Sequence, residues 1–260
     1  MSLNGWIILN KPLGMGSTQG VGAVKRALRE GGYAKVKIGH GGTLDPLATG
    51  VLPIALGEAT KLAGRMLDSD KIYEFTIGFG AETDSLDLEG KVIATSDVRP
   101  TVEAVEAILP RFTGPIDQVP PAFSALKVDG KRAYDLARAG ETVMLASRAV
   151  TIYNLFAISA PLRKQNDARR DAKDAEKGVN FITLTAHVSK GTYIRSLARD
   201  IAYALGTVGH VTMLRRTNAG PFTLAHAISL DILFEKSKAR ALEDITLPIR
   251  TALDDIPADS

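Results

Sequence analysis

The sequence predicts a mixed α/β fold. Three observations carry that reading: apolar runs of period two, apolar residues at helical spacing, and glycine- and proline-rich joints between them. With 260 residues, 45% of them hydrophobic and 23% charged, the chain can bury a large core as one big domain or two small ones. No run approaches the roughly 18 apolar residues of a membrane span, and the opening MSLNGWIILNKP lacks the charged leader and long apolar stretch of a signal peptide. A cytoplasmic protein with no membrane association is therefore expected. The absence of cysteine excludes disulfides, thiolate nucleophiles and cysteine metal sites. His40, His187, His210 and His226 show no metal-ligand spacing, so metal-free chemistry is expected. A net charge of +3 and a pI near 9.0 permit a nucleic-acid partner without arguing for one.

Taken in order, Trp6 to Leu9 reads as a short apolar strand. Ser17 is placed to cap a helix that turns Val21, Val24 and Leu28 to the core and Lys25, Arg26 and Arg29 outward. Near the loop of Asp45, Lys35 and Lys37 extend this basic surface, which reads as a solvated helix face and only supports a nucleic-acid partner. Gly57 to Leu67 looks helical. In KIYEFTIGFG, from Lys71 to Gly80, alternation puts Tyr73, Phe75, Ile77 and Phe79 on one strand face, which serves as core or as a stacking platform.

Thr101 to Phe112 carries Val102, Val105, Ile108 and Leu109 at helical spacing. QVPPAFSALKVDG must then break regular structure before a turn at Asp129-Gly130 and a helix from Lys131 to Ala139 that ends at Gly140. Arg148 to Ala160 and Val179 to Ser189 read as two strands. Between them RKQNDARRDAKDAEK, Arg163 to Lys177, has mixed charge and no large apolar residue, so it is expected to be a charged excursion that does not join the core.

The run IGHGGTLDPLATGVLPIALGEATKL places one carboxylate, Asp45, in a glycine-rich and almost uncharged loop. Gly39, Gly41, Gly42 and Gly50 allow close backbone approach to a ligand, and Pro46 restricts the backbone of Asp45 to extended or turn geometry. A second constellation, SKGTYIRSLARDIAYALG from Ser189 to Gly206, turns at Gly191 into a helix with Leu197, Ile201 and Leu205 inward. Tyr193 and Arg195 lie at that junction. Two residues apart, they share a side only if the chain is extended through this point. Arg195 can alternatively pair with an acid such as Asp200. Asp84 and Asp87 sit among turn formers and are expected to be exposed.

These segments together resemble the bacterial TruB-type tRNA pseudouridine-55 synthases. The resemblance runs in order through NKPLGMGS, GHGGTLDPLATGVLPIALGEATK, SDKIYEF, PPAFSALKVDGKRAYDLARAG, SKGTYIRSLARD and GHVTMLRR. It implies an enzyme that isomerises one uridine in the T-arm of tRNA, breaking C1′–N1 and rejoining the base through C5, with no cofactor. It implies Asp45 as the catalytic aspartate, Tyr73 as the active-site tyrosine, and Tyr193 and Arg195 as the tyrosine and arginine of the SKGTYIR element. It matches Leu214 to the apolar residue beside the target base, His40 to a histidine used against the RNA, and Lys11 to the lysine of the KP element.

For the fold, the resemblance implies a mixed, largely antiparallel sheet with flanking helices, a central active-site cleft, and an insertion near Gln118 to Val150 that grips RNA. Residues 1–247 are expected to form the catalytic domain. The family's C-terminal PUA-type RNA-binding module has no room before Ser260, so 248–260 reads as a tail or the start of a linker. The expected partner is the tRNA T-arm, bound by a monomer.

The chemistry accounts for the same residue types. An ionised carboxylate can attack the sugar carbon, attack the base, or remove a sugar proton. A neighbouring arginine keeps it charged against desolvation, and Arg195 is expected to meet Asp45 for that purpose. Tyr73 and Leu214 offer flat walls to the detached uracil. His40 is suited to stack where the uridine is flipped out, and Lys11, Lys25 and Arg26 are expected to contact phosphates. An RNA-folding chaperone using the same surface is a compatible second role, and it predicts that Asp45→Asn keeps the biological effect. A phosphate-binding NTPase fails because no G-x-x-x-x-G-K-[ST] sequence surrounds Gly39 to Gly50. A hydrolytic glycosidase would want a second catalytic carboxylate, such as Asp84 or Asp87.

Overall fold

The computed structural model describes residues 3–124, 126–128, 130–139, 145–158 and 178–253. The charged excursion Arg163 to Lys177, Asp129, Gly140 and most of the expected tail lie outside the described residues. In chain order the first elements are β1 (Gly5–Lys11), α1 (Ser17–Glu30), β2 (Ile38–His40), β3 (Ala48–Leu56), a 3-10 turn (Gly57–Leu62), α2 (Ala63–Asp68) and β4 (Lys71–Phe79). There follow β5 (Ala81–Thr83), β6 (Val92–Thr95), α3 (Val102–Ile108), β7 (Gly114–Gln118), β8 (Lys127–Val128), β9 (Lys131–Arg132) and α4 (Ala133–Arg138). The last are β10 (Arg148–Ala157), β11 (Phe181–Val188), α5 (Ile194–Ala204), β12 (Gly209–Ala219), β13 (Phe222–Thr223) and α6 (Leu230–Lys238). The fold is mixed α/β with a largely antiparallel sheet. Among the described residues no helix is long and apolar enough to cross a membrane.

The chain divides into two compact units, Met1–Tyr73 with Leu214–Ser260, and Glu74–Met213. The boundary falls inside β4 and β12, so both strands contribute to each unit. The expected catalytic domain over 1–247 takes in all of the second unit and most of the first.

In the first unit β1 and β3 pair antiparallel from Gly5↔Leu56 to Lys11↔Gly50. Their near-continuous apolar runs are those of strands buried on both faces. Ile7, Leu9, Leu52, Ile54 and Leu56 pack with Val24, Ala27 and Leu28 of α1. Trp6, Ile8, Val51 and Ala55 face the other way, onto Met66, Phe222 and Ala252, with the Trp6 and Phe222 rings 5.2 Å apart. The period-two alternation of one strand pair thus supplies two separate cores. Parallel pairing of β3 with β12 sets Leu214, Arg215 and Arg216 opposite Ala48, Thr49 and Gly50. Only glycine fits at position 50: φ is +99°, and a Cβ would stand 2.2 Å from the Arg216 carbonyl oxygen.

Helix α1 begins at Ser17, but the capping position belongs to Gly16, whose N–H donates to Gln19 Oε1 at 2.7 Å. The Ser17 hydroxyl, expected as the cap, is turned to a different task described below.

In the second unit Phe75, Ile77 and Phe79 of β4 are buried, as are Leu184, Ala186 and Val188 of β11. A hydroxyl pair between Thr76 and Thr183, 2.8 Å apart, lies in the same region. β10 pairs with β11 on one side and with β7 on the other, from Arg148↔Gln118 to Ile152↔Gly114. The amphipathic helix α5 buries Leu197, Ala198, Ile201 and Ala202. The segment 118–150, expected as an insertion, holds the β8–β9 hairpin and α4.

Candidate active site

The loop of Asp45 is fixed residue by residue from outside itself. Arg216, 1% exposed, donates from Nη2 to the Gly42 carbonyl at 3.2 Å, from Nη1 to the Thr43 carbonyl at 3.3 Å, and from Nε to the Val51 carbonyl at 2.8 Å. Ser17 Oγ donates to the Leu44 carbonyl at 3.0 Å and accepts the Leu44 N–H at 2.7 Å. The Asp45 carbonyl accepts from Ala48 N at 3.0 Å. The Pro46 carbonyl accepts from Lys11 Nζ at 3.2 Å and from Gly14 N at 2.9 Å. Every carbonyl from Gly42 to Pro46 is therefore held, and the carboxylate of Asp45 projects from a backbone with little freedom to rearrange. Such preorganisation is what a reacting group needs, because its geometry is set before substrate arrives.

Two buried cations set the field. Lys11 has no exposed surface, and its ammonium also donates to the carbonyls of Met15 at 2.6 Å and Pro12 at 3.1 Å. The expectation that it contacts a phosphate is corrected: three carbonyls take its donors. Burial pushes its pKa down to about 8 and the charge of Arg216 pushes the same way, while the nearby Asp45 carboxylate opposes both. His40 ends β2, paired with Ile54 of β3. Burial, then the charge of Arg216, hold its pKa below the ordinary histidine value, favouring the neutral ring. Its Nδ1 is buried with no hydrogen-bond partner among the described residues.

Tyr73 and Leu214 both pack, partly buried, against the core cluster that contains Leu44 and Ala48. The Leu214 carbonyl accepts from Thr49 Oγ1 at 3.5 Å. The first unit thus collects Lys11, His40, Asp45, Tyr73 and Leu214 with the basic face of α1. On that face Lys25 is exposed, and Arg26 is partly committed, with Nε 2.9 Å from Glu30 Oε1 and its guanidinium 4.7 Å from the centre of the Phe234 ring.

The second unit holds Tyr193 and Arg195. Tyr193 is extended, with φ −99° and ψ 112°, and α5 starts at the next residue, so Arg195 lies in the first helical turn. The extended path required for the two side chains to share a side therefore stops at Tyr193. Arg195 donates to the carbonyls of Ser85 at 2.9 Å and Phe123 at 3.0 Å. Its carboxylate neighbour in this unit is Asp87, with Nη1 3.4 Å from Oδ2. Asp200, the acid considered for Arg195, is taken by Arg199 at 2.8 Å.

Asp87 corrects a second expectation. It is 6% exposed rather than displayed in a turn, and its Oδ1 accepts from Ser85 Oγ and from Glu89 N at 3.0 Å. Between Ser85 and Asp87 stands buried Leu86 with φ +62°, a conformation costly for a branched side chain. Backbone strain is thus stored beside the acid that faces Arg195. Tyr193 is gripped at two points. Its N–H donates to Gln118 Oε1 at 2.7 Å, and its ring lies 4.6 Å from the Arg148 guanidinium, which also donates to the Gly191 carbonyl.

The holding roles of Ser17, Asp87, Gln118, Arg148 and Arg216 are not among the expectations drawn from sequence. For Arg216 the spacing gives little signal: it follows Leu214 by two on a strand, but that side also carries His210, Thr212 and Asn218, so a buried arginine does not stand out.

The chain as a whole is similar to known proteins in sequence and in fold. A family model described as the TruB family pseudouridylate synthase N-terminal domain matches residues 29–194. One described as the tRNA pseudouridylate synthase B C-terminal domain matches residues 195–254. A tRNA pseudouridine synthase B of Novosphingobium aromaticivorans is 64% identical over 256 residues, covering 98% of this chain and 80% of that protein. One of Zymomonas mobilis is 57% identical, covering 99% and 79%. Among solved structures, a Cbf5-Nop10-Gar1 complex contains a chain similar at a TM-score of 0.69 and 26% identity, over 97% of this chain and 62% of that one. By family models that together cover most of its length, the chain belongs to the TruB family of pseudouridylate synthases.

Proposed function

We propose that this chain converts uridine 55 in the T-arm of tRNA to pseudouridine, acting as a cytoplasmic monomer without a cofactor. The observation that carries the reading is the loop from Gly42 to Pro46, whose carbonyls are all held so that Asp45 presents one carboxylate in a fixed setting. The reaction breaks C1′–N1 and forms C1′–C5; N1 gains a proton and C5 loses one, so atoms and electrons balance without a co-reactant. A carboxylate serves this chemistry as nucleophile at C1′, as nucleophile on the base, or as acceptor of a sugar proton.

Arg195, oriented by Asp87 and two carbonyls, is the cation proposed to support the charged form of Asp45. Tyr73 and Leu214 are the proposed walls for the freed uracil, and Tyr193 the second aromatic group of the site. His40, with a buried and unpartnered ring nitrogen, is proposed to take a displaced base. Lys25 and Arg26 are proposed to contact phosphates, Arg26 within the limits that Glu30 sets. Lys11 is assigned instead to holding the Pro46 carbonyl.

The test is a folded T-arm stem-loop carrying uridine tritiated at C5, because rejoining through C5 releases that label to water. Release and a chromatographic pseudouridine peak are expected from the unmutated protein, with a drop on the order of 10³-fold or more for Asp45→Ala. No release from the unmutated protein, or equal release from the variant, overturns the proposal.

A further inference from the structure

A cleft of about 380 Å³ opens in the first unit between α1 and the segment leading into β2. Its charged lining consists of Lys25, Arg26, Arg29 and Lys35, and no carboxylate lines it. The cleft is strongly cationic, although the whole chain carries a net charge of only +3. Arg26 is partly neutralised by Glu30. Lys25, Arg29 and Lys35 are exposed, and no side-chain hydrogen bond or ion pair ties their charged groups to another described residue.

The rest of the lining is apolar, chiefly Leu28, Val36 and the ring of Tyr33. That ring is fixed from behind: its hydroxyl donates to Glu243 Oε2 at 2.6 Å and accepts from the Leu242 N–H at 2.9 Å. A flat aromatic wall anchored through its hydroxyl, among exposed cations, suits a ligand that is planar at one end and multiply anionic along its length. An unstacked nucleotide in an RNA strand has that chemistry, since bases stack on aromatic side chains while phosphates meet lysine and arginine. The volume lies in the range of sites that hold molecules of nucleotide size. Ile38, at the edge of the cleft, stands two strand residues before His40, roughly 7 Å of backbone, so one RNA strand can reach both. An acidic peptide would satisfy the cations but leaves the fixed aromatic wall without a role.

We propose that this cleft is a second nucleotide subsite, seating one unpaired nucleotide of the substrate RNA with its base against Tyr33 and Val36 and its phosphates on Lys25, Arg29 and Lys35. The inference rests on the RNA-modifying reading above and adds a place where RNA other than the target uridine is held.

The experiment compares the unmutated protein with the double variant Arg29→Gln/Lys35→Gln, both positions being exposed, and with Tyr33→Phe, which frees the ring from its anchors. Affinity for an unmodified tRNA transcript is measured by fluorescence anisotropy across a salt series, and C5 tritium release gives KM and kcat. A transcript carrying 4-thiouridine, photocrosslinked and mapped by mass spectrometry, reports which residues touch RNA bases. Expected for the double variant are about 5- to 20-fold weaker binding, a salt slope shallower by about 2, and a rise in KM that exceeds any fall in kcat. Crosslinks should include residues 28–38, and Tyr33→Phe should reduce those crosslinks. Unchanged affinity and slope in a variant that melts like the unmutated protein, crosslinks absent from 28–38, or displacement of tRNA from the unmutated cleft by polyglutamate at equal charge concentration each overturns the subsite. Loss of product with the unmutated protein instead overturns the function, so the two failures are distinct.

Discussion

Lys11 is fully buried, and its task is set by what surrounds its amine. The KP element marks it as belonging to the site, and a surface phosphate contact is the ordinary role for a lysine in an RNA-modifying chain. Its amine is instead enclosed by the carbonyls of Pro12, Met15 and Pro46, and this depends on a contact 35 residues away that local pattern does not contain. The linkage follows from its pKa, which folding lowers from 10.5 to about 8. Between those values the unfolded chain binds more protons than the folded one, so stability rises with pH across that window. Below about pH 8 the full cost of burying the ammonium is present, and it is relieved as pH climbs toward 10.5. The stability of the unmutated protein relative to Lys11→Met should therefore increase by up to roughly 3 kcal/mol over that interval. Urea unfolding at several pH values measures the difference; a flat difference curve rules the argument out.

At the scale of elements, the strands and helices whose own residues repeat at period 2 or 3.6 were legible. β4 and α5 fall close to where Phe75, Ile77 and Phe79, or Leu197 and Ile201, put them. Contacts made by pairing were not. Gln118 and Arg148 stand opposite each other in β7 and β10, and from that one register position they hold both the backbone and the ring of Tyr193. Nothing in the spacing of three separate segments announces that convergence. The pair predicts separable defects. Gln118→Met removes the acceptor of the Tyr193 N–H, so hydrogen exchange at that amide should quicken by about 10-fold or more while the Val188 amide in β11 keeps its protection. Arg148→Met removes a ring contact worth roughly 0.5–2 kcal/mol. It should lower kcat by about 3- to 30-fold with little change in KM, and Arg148→Lys should restore part of the loss. Equal exchange at Tyr193, or a change in KM alone, would refute the positioning role.

At the scale of the molecule, the first unit is built from both ends of the chain, and this interleaving was the least legible feature because it depends on segments more than 200 residues apart. The outer edge of β1 is covered by the C-terminal part: Trp6 and Leu247 exchange N–H to carbonyl bonds of 2.9 and 2.8 Å, and Ile228 bonds Ile8 and Asn10 at 2.9 and 2.8 Å. Covering that edge removes a row of unpaired backbone groups that would otherwise invite pairing with another chain. The approach is close enough that residue 5 must be glycine. Its φ is +146°, and a Cβ there would lie 2.2 Å from the Leu247 carbonyl oxygen. Gly14 offers a control, since its φ is also positive at +80° but a Cβ at that position would meet nothing within 4 Å. Gly14→Ala should therefore cost only the conformational strain, roughly 1 kcal/mol. Gly5→Ala carries that strain and must also push Leu247 away from Trp6, so a loss of roughly 2–4 kcal/mol is expected. The chain's single tryptophan is Trp6, which is fully buried at this junction, so its emission reports the first unit directly. Denaturant titrations followed by Trp6 fluorescence should separate the two variants by at least about 1 kcal/mol. Equal midpoints would mean that the C-terminal segment does not press on β1 as closely as the Leu247 contact requires.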